Sequence, residues 1–280
     1  MYRTCTLILT LLRLAPVAAE TIEAKMFQVH PRQEKPVAFK RTAEQPRAVV
    51  LVHGFRPEVP NDKAADVLQD WQRADSPLVK ELGRDSDVFA FTYSQNGAVE
   101  VVANCKQIPQ YLDMLKALGY KEIVLLGHSA GGLVVRQFVE EHPDSGVTKV
   151  IQLCAPNGGT DMVDFKFLVG KEQRAFVDSL SPATRKRYIE AHKAKIPDRI
   201  QFACVVGKGC GSGDGVLSCQ EQWTADLQEQ GIPAMVLEQK HFAVLREVDG
   251  IRSLSKLISD KQPRWNCEEV RTARQLILGE

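Results

Sequence analysis

The sequence predicts an α/β fold, with a mainly parallel central sheet, helices on both faces and a helical, lid-like insertion. Apolar, β-branched runs such as "AVVLVHG" (48–54) and "KEIVLLGHS" (121–129) are typical of strands buried on both faces. Segments with helical periodicity separate these runs. Strands that alternate with helices are joined by right-handed crossovers, which produce a parallel sheet.

The predicted elements follow one another along the chain. Two short stretches near the N-terminus, "AKMFQV" and "VAFKR", are candidate edge strands. Later strands are predicted over residues 48–54, 87–94, 121–129, 147–156, 199–207 and 233–239. Helices are predicted over residues 64–83 (with a break at Ser76-Pro77), 105–119, 130–143, 242–261 and 262–280.

One region interrupts this alternation. Between Pro156 and Ile200 no strand is predicted, and the pattern is mostly helical. A structureless loop of this length is uncommon inside a domain, so a helical insertion over about residues 157–199 is the better interpretation. Its apolar side chains could form a lid over a site or pack onto the core. They are Phe165, Phe167, Leu168, Val169, Phe176, Val177 and Leu180.

The N-terminal residues 1–19 predict a signal peptide, and residues 20–280 then form a single domain. An early arginine, an apolar run and small residues before the cleavage point are typical of export signals, so we expect a secreted or periplasmic protein. Arg13 interrupts the apolar run, and the lack of acidic residues before Glu20 also fits an organelle transit peptide. A membrane anchor is disfavoured because a bilayer span needs about 20 unbroken apolar residues.

Composition argues against one class of partner and leaves the redox state open. The formal net charge is +1 and basic residues are interleaved with acidic ones, so no signature of nucleic-acid binding is present. No sequence feature indicates a partner protein. Six cysteines follow the predicted signal peptide, an even number that fits one or more disulfides in an exported protein. Cys154 lies in an apolar run and is expected to be a buried thiol.

The segment "LLGHSAGGLV" (125–134) predicts a nucleophile. Ser129 stands between a buried strand and a helix, with Gly127 and Gly131 two residues to either side. A nucleophile elbow needs this arrangement, because the sharp turn strains the serine backbone, exposes its oxygen and leaves room only for glycine where helix and strand meet. A serine in an ordinary surface turn would need neither the glycines nor the buried strand.

On these residues the chain resembles the α/β-hydrolase superfamily, and in particular its serine lipases and carboxylesterases. The resemblance covers most of the chain after the predicted signal peptide, from "VVLVHGF" through "LLGHSAGGLV", "LCAPNGGTD" and "GDGVLS" to "KHFAVL". It implies an α/β-hydrolase fold and a catalytic triad in the chain order serine, aspartate, histidine.

The resemblance assigns His241 as the base and Asp214 as the acid. A serine hydroxyl needs an imidazole to take its proton, and the imidazole needs a carboxylate to fix its tautomer. Asp161 and Asp164, after the preceding strand, are rival acids. The other histidines are expected to have capping, surface or structural tasks, even the one that adjoins Ser129. They are His30, His53, His128, His142 and His192.

The same resemblance implies an oxyanion hole made of backbone N–H groups. Ala130 follows the nucleophile directly, and Phe55 follows the "HG" pair after the first buried strand. Such donors stabilise the charge of a tetrahedral intermediate, each by about 3 kcal/mol. Because both donors belong to the main chain, the identity of these two side chains is weak evidence.

Together these residues predict a serine hydrolase that cleaves carboxylic esters through an acyl-enzyme. Lipid or other acyl esters are the expected substrates, and a lid would imply transient contact with a lipid surface. The reaction requires no metal or organic cofactor. Related lipases sometimes carry a structural calcium near the base loop, and the sequence "FAVLREVDG" after His241 does not decide whether such a site is present. An esterase or thioesterase for small soluble substrates would use the same residues, and a non-catalytic binding protein could retain the same fold.

Overall fold

A seven-stranded sheet organises the molecule. The computed structural model describes residues 21–32, 38–42, 45–59, 61–161, 169–192 and 195–279. The strands are β1 (Ala24–His30), β2 (Arg47–Val52), β3 (Asp87–Tyr93), β4 (Glu122–His128), β5 (Lys149–Leu153), β6 (Gln201–Gly207) and β7 (Ala234–Leu237). Their order across the sheet is β1-β3-β2-β4-β5-β6-β7. Only β1 is antiparallel to its neighbour, so the predicted mainly parallel sheet is confirmed.

Helices connect and follow these strands. They are α1 (Pro77–Leu82), α2 (Val99–Ala103), α3 (Gln107–Ala117), α4 (Ala130–Glu141), α5 (Arg174–Ser179), α6 (Pro182–His192), α7 (Cys219–Gln222), α8 (Ala225–Glu229), α9 (Val248–Ser259) and α10 (Cys267–Leu278). Within the described ranges, no helix has both the length and the apolar character that a bilayer span requires. The short helices α2, α7 and α8 have no counterpart among the predicted elements.

The helices cover both faces of the sheet, as predicted. On one face α1 and α9 pack against the strands, where Leu254 belongs to the same apolar cluster as Leu126. On the other face α3 and α4 do so, and Phe138 belongs to the same cluster as Leu125; α10 packs against α7 on this side. Successive strand residues point to opposite faces, and both faces are covered here. The central strands β2, β3 and β4 are therefore apolar at most positions.

The predicted edge strand "VAFKR" is wrong where the structure describes it. Residues 38–42 contain no strand, whereas "AKMFQV" forms most of β1. The side chain of Gln28 takes both backbone groups of Lys40: its Nε2 donates to the Lys40 carbonyl at 2.6 Å, and its Oε1 accepts the Lys40 amide at 2.8 Å. A residue whose backbone is used in this way cannot join a strand ladder there.

The predicted helix over residues 64–83 is only partly present. Two 3₁₀ turns, Asn61–Asp66 and Asp70–Gln72, precede α1. The buried guanidinium of Arg56 donates to the carbonyl groups of Ala64 and Val67, which an α-helix would need as its own acceptors. The helix therefore begins only at the expected break, where the Ser76 hydroxyl accepts the Val79 amide at 3.1 Å.

The insertion contains α5 and α6, and three of its described apolar side chains are buried against the core, whereas Val169 is only half-buried. Phe176, Val177 and Leu180 are buried, and the ring of Phe176 lies 6.0 Å from Phe55 and 6.1 Å from Tyr93. For these three residues packing replaces the predicted lid. Phe165, Phe167 and Leu168 lie outside the described residues, as do Asp164 and the predicted signal peptide over residues 1–19.

The cysteines form no disulfide in the described part of the chain. All six that follow the predicted signal peptide have free thiols. Four of them are buried and only Cys210 and Cys267 are exposed. The expectation of one or more disulfides is thus wrong for this structure, whereas Cys154 is the buried thiol that its apolar surroundings predicted.

The buried side chain of Asn157 joins the start of the insertion to the sheet. Its Nδ2 donates to Gln152 Oε1 at 3.0 Å and to the Gln222 carbonyl at 2.8 Å. Its Oδ1 accepts from Arg136 Nη1 at 3.0 Å and from Gln152 Nε2 at 3.1 Å. The Asn157 carbonyl accepts from Arg185 Nε on α6 at 3.4 Å. One amide side chain therefore links β5, α4, α7 and, through its backbone, α6.

Replacing Asn157 with alanine should destabilise the protein by about 3 kcal/mol or more, because buried donors and acceptors on three partners lose their hydrogen bonds. Urea unfolding monitored by circular dichroism measures this loss. Asn104→Ala is the matched control, since Asn104 is exposed, and its effect should stay below about 1 kcal/mol. Equal effects of the two substitutions would contradict the role given to Asn157.

Candidate active site

Ser129 occupies the sharp turn between β4 and α4. Its backbone angles are φ 54° and ψ −130°, in a region that residues with a Cβ rarely adopt, and its amide donates to the Leu153 carbonyl at 2.8 Å. Gly131 makes the turn possible, because a Cβ there would lie 2.3 Å from the His53 carbonyl oxygen and 2.5 Å from that of Val52. The first turn of α4 thus lies directly against the end of β2, and Ser129 is half-buried there.

Two backbone amides beside this serine have no partner. Among the described residues, no oxygen accepts the amide of Phe55 or that of Ala130. Phe55 follows Gly54, where an added Cβ would lie 2.6 Å from Ser129 Cβ and 3.2 Å from Ser129 Oγ. Ala130 is the first residue of α4, so its amide points out of the positive end of the helix dipole. The two groups are suited to a negatively charged oxygen on the substrate.

Side chains that the sequence analysis missed hold the loop around Phe55. Tyr93 Oη donates to the His53 carbonyl at 2.7 Å. Gln95 bonds to the residues on either side of Phe55. Its Nε2 donates to the Gly54 carbonyl at 3.1 Å, and its Oε1 accepts the amide of Arg56 at 3.0 Å. The available signal was the polar segment "YSQN" at the end of a buried strand, the edge at which α/β folds assemble their sites.

His53 belongs to the same supporting network and is neutral. Burial, together with the nearby positive charge of Arg56, lowers the pKa of His53 well below its usual value. Its Nδ1 donates to the Gly54 carbonyl at 2.7 Å, and its Nε2 accepts the Tyr93 amide at 3.3 Å. Both ring nitrogens are therefore occupied in shaping the loop, and neither is available to Ser129.

His241 and Asp214 form a buried pair in the loops that follow β7 and β6. His241 Nδ1 donates to Asp214 Oδ2 at 2.7 Å, and the His241 amide donates to the Asp214 carbonyl at 3.0 Å. The exposed fraction is 3% for His241 and 1% for Asp214. Because Nδ1 carries the proton, Nε2 is left with a lone pair, as a general base requires.

Asp214 is ionised in spite of its burial. Burial alone would raise the pKa of Asp214, but the hydrogen bond and charge of His241 and the amides of Leu217 and Val216 outweigh it, so the pKa is lowered. The two amides donate to Oδ1 at 2.7 Å and 2.8 Å. The glycine-rich segment before and around Asp214 forms the turn that presents these amides. The carboxylate can therefore balance a positive imidazolium at His241.

The other predicted candidates lie elsewhere. Asp161 is exposed, and Asp164 lies outside the described residues. Three of the histidines that were set aside occupy element ends: His30 in β1, His142 after α4 and His192 in α6. Within the described chain, no hydrogen bond joins Ser129 Oγ to His241. Catalytic hydrogen bonds are often long before substrate binds, so this spacing is compatible with a base.

His128, directly before Ser129, connects the serine turn to the loop that carries His241. Its Nε2 donates to the His241 carbonyl at 2.9 Å, and the two imidazole rings lie 4.8 Å apart. Burial, with the nearby His241 as a smaller cause, lowers the pKa of His128 to about 3. His128 is thus neutral near pH 7, and its bonded Nε2 cannot take a proton from Ser129.

One buried group of side chains has the composition of a metal site. Potential ligand atoms of Cys154, Asp214 and His241 lie within 4.8 Å of one another in the described part of the chain. The donor set fits an ion poorly, because Asp214 and His241 are already bonded to each other at 2.7 Å. Burial and the charge of Asp214 also raise the pKa of the Cys154 thiol well above its usual value, whereas metals bind thiolates.

Comparison with known proteins shows to which family this fold belongs. A model of the alpha/beta hydrolase fold family matches residues 48–233. The chain belongs to the α/β hydrolase family. The matched range includes Ser129 and Asp214, and His241 lies beyond it. No curated protein sequence is significantly similar to this α/β hydrolase.

Several solved structures resemble this α/β hydrolase. A mature Bacillus licheniformis lipase superimposes with a TM-score of 0.61 at 14% identity, over 84% of this chain and 98% of the lipase. Phospholipase PlaB from Legionella pneumophila gives 0.60 at 12% identity, over 83% of this chain and 63% of the phospholipase. Aspergillus fumigatus lipase B gives 0.54 at 13% identity, over 84% and 56% of the two chains. At these identities the likeness concerns the fold alone.

Replacing His128 with glutamine should weaken the acid dependence of stability. The unfolded state binds a proton at His128 below about pH 6.5, and the folded state excludes that proton down to about pH 3. Because the folded pKa is the lower one, stability falls as the pH decreases through this window, by up to about 1.4 kcal/mol per pH unit. Urea unfolding between about pH 4 and 6 should give a smaller slope for the variant.

Val124→Ala provides the control for this measurement. Val124 is buried on the same strand and cannot titrate, so its truncation should lower the free energy of unfolding without changing the slope against pH. A slope that is unchanged in His128→Gln would show that His128 is not held neutral.

Proposed function

We propose that this α/β hydrolase cleaves carboxylic esters, with Ser129 as nucleophile, His241 as base and Asp214 as acid. The observation that carries the proposal is the 2.7 Å hydrogen bond from His241 Nδ1 to Asp214 Oδ2, because it leaves His241 Nε2 as an acceptor on the carboxyl edge that also bears Ser129. The strained turn at Ser129 and the two unpartnered amides support the same assignment.

In the proposed mechanism His241 Nε2 takes the proton of Ser129 Oγ while that oxygen attacks the ester carbonyl. The amides of Phe55 and Ala130 donate to the resulting oxyanion. The imidazolium, balanced by Asp214, then protonates the alcohol as the carbon–oxygen bond to it breaks. Water, deprotonated by His241, attacks the acyl-enzyme and releases the carboxylic acid and the free serine.

An exposed aromatic side chain favours substrates with an apolar alcohol portion. Phe242 is 53% exposed, and its ring lies edge-on to His241 at 4.9 Å. The alcohol must lie within hydrogen-bonding reach of His241 Nε2 when it is protonated. An apolar alcohol group placed there could cover the Phe242 ring and remove it from water. Lipid esters and esters of other apolar alcohols share this property.

A second candidate is an esterase that acts on small soluble esters or thioesters. The packing of Phe176, Val177 and Leu180 onto the core favours it, since these side chains are not available to cover an acyl chain. The names of the structural neighbours, two lipases and a phospholipase, favour lipid esters instead. Rates on an acyl-chain series decide the matter: a jump in rate when a long-chain ester forms an emulsion indicates a lipase.

Export to the periplasm or the medium and transient contact with a lipid surface remain part of the proposal. The first rests on residues 1–19, with organelle import as its alternative, and the second on the exposed Phe242. Detection of a mature chain that begins at Glu20 outside the cytoplasm would support export. A chain that keeps residues 1–19 would contradict it.

Ser129→Ala should abolish both hydrolysis of a p-nitrophenyl ester and labelling by a fluorophosphonate probe. Removal of a serine nucleophile from such a triad lowers kcat by about a millionfold. Asp214→Asn should retain the fold and lower kcat by about ten-thousandfold, because the imidazole loses the tautomer that the carboxylate imposes. The measurements are initial rates and the mass shift of the labelled protein.

Asp161→Asn is the matched control for the acid, since Asp161 is exposed, and it should retain the wild-type rate. Failure of the wild-type protein to react with the probe, or equal labelling of Ser129→Ala, would support a non-catalytic binding protein that keeps the hydrolase fold. A slow Asp161→Asn with an active Asp214→Asn would move the role of the acid to Asp161.

Phe242→Ala should lower kcat/KM for benzyl butyrate about two- to tenfold, as expected for the loss of one aromatic contact. The value for methyl butyrate should change less than about twofold, because its alcohol is too small to cover the ring. Val248→Ala, which removes another exposed apolar side chain, should leave both values unchanged. Equal losses on the two esters would contradict contact with the alcohol portion.

A further inference from the structure

Cys154 lies directly after β5 and is completely buried. Its backbone has a φ of 49°, in the left-handed region, and its amide donates to the Val205 carbonyl at 2.9 Å. In the described part of the chain, Ser129 and Cys154 are the only non-glycine residues with a positive φ. The cost of this conformation sets Cys154 apart from an ordinary core residue.

The thiol of Cys154 lies close to the carboxylate of the proposed acid. Its Sγ belongs to a group of three ligand-type atoms, with a carboxylate oxygen of Asp214 and a ring nitrogen of His241, that lie within 4.8 Å of one another. Gly207 leaves the space for both groups, because a Cβ there would lie 3.0 Å from Cys154 Sγ and 2.8 Å from Asp214 Cβ. A larger residue at the end of β6 would therefore clash with the thiol and with the Asp214 side chain.

The carboxylate of Asp214 has capacity for a further donor. It accepts the amides of Val216 and Leu217 at Oδ1 and Nδ1 of His241 at Oδ2. An ionised carboxylate offers about four lone-pair positions, so one remains. Burial and the charge of Asp214 keep the pKa of Cys154 well above its usual value, and the thiol is therefore protonated and able to donate.

We infer that Cys154 is a positioning residue whose S–H group donates to Asp214 and holds that carboxylate ionised and aligned with His241. The catalytic consequence of this inference rests on the proposed ester hydrolysis. The proximity of the Cys154 thiol to the Asp214 carboxylate does not depend on that proposal. A weak donor of this kind reduces the basicity of the carboxylate and limits its freedom to rotate. Cys154 touches neither the ester nor the reacting atoms.

Other polar groups face the same pair and stay in place when Cys154 is changed. His128 on β4 lies beside His241 and interacts in turn with Arg246. Cys219 on α7 interacts with Asp214, and Lys208 interacts with Cys219. None of them is altered by a substitution at Cys154, so a change in the pH profile reports the loss of the thiol donor.

The test compares Cys154→Ala and Cys154→Ser with the wild-type protein. In the alanine variant the pKa of Asp214 rises and the carboxylate holds the imidazolium more strongly. The acidic limb of the kcat/KM profile should then move up by about 0.5 pH unit, a loss of about threefold on the acidic side. The serine variant keeps a hydroxyl donor and should stay within about 0.2 pH unit of wild type.

Cys204→Ala is the matched control. Cys204 is another buried thiol, on β6. Its Sγ donates a hydrogen bond to Gln152 Oε1 at 3.5 Å and not to Asp214. Its truncation leaves a similar cavity and should not move the acidic limb. If Cys154→Ala and Cys204→Ala both lower kcat without moving that limb, Cys154 is only a packing residue and the inference is wrong.

Proton NMR separates this inference from the proposed function. The Nδ1 proton of His241 should move downfield in Cys154→Ala, because Asp214 becomes the stronger acceptor, and should stay in place in Cys154→Ser and Cys204→Ala. This result needs no catalytic activity. An unchanged resonance in Cys154→Ala overturns the inference even if the esterase assay succeeds, and a shifted one supports it even if the assay fails.

An infrared measurement covers the case in which Cys154→Ala does not fold. The S–H stretching band of Cys154, assigned by its loss in Cys154→Ser, should lie at lower frequency than that of Cys204, assigned in the same way. The reason is that a carboxylate accepts more strongly than the amide of Gln152. A Cys154 band at or above the Cys204 frequency would rule out donation to Asp214.

Discussion

The close approach of α4 to the end of β2 is the constraint on which the site depends. Helix and strand backbones meet at Gly131, so the chain has no room to turn gradually out of β4. The chain therefore changes direction at Ser129, whose backbone is strained. The same approach brings the loop of Phe55 against the serine. The positions of the proposed nucleophile and of the proposed oxyanion donors are therefore set by one packing contact.

Around this turn buried polar side chains form a supporting layer of hydrogen bonds. His53 and Gln95 hydrogen-bond to the carbonyl of Gly54 beside Phe55, and His128 donates to the carbonyl of His241. Each of these side chains is buried, where an unpaired polar atom would cost about 1–3 kcal/mol. Burial thus makes the hydrogen bonds obligatory, and obligatory bonds fix the geometry of the site. Burial also lowers the pKa of His53 and of His128, so both imidazoles remain neutral.

The fold was largely predictable because its signals are local. A strand covered on both faces must be largely apolar, and β2, β3 and β4 each contain a continuous apolar run. Predictions failed where a distant side chain took over backbone groups. Arg56 uses the carbonyls of Ala64 and Val67, and Gln28 occupies the backbone of Lys40. Propensity within a short segment carries no information on such partners.

The sequence by itself determined the sheet, the elbow motif and the chain order of Ser129, Asp214 and His241, because strand patterning and turn chemistry are written in consecutive residues. Only the tertiary structure decided which side chains support them. Cys154 lies near Asp214, and His128 donates to the His241 carbonyl, although these residues follow or belong to different strands. Such contacts depend on which loops the parallel sheet brings to one edge, and this is fixed only when all the strands are in register.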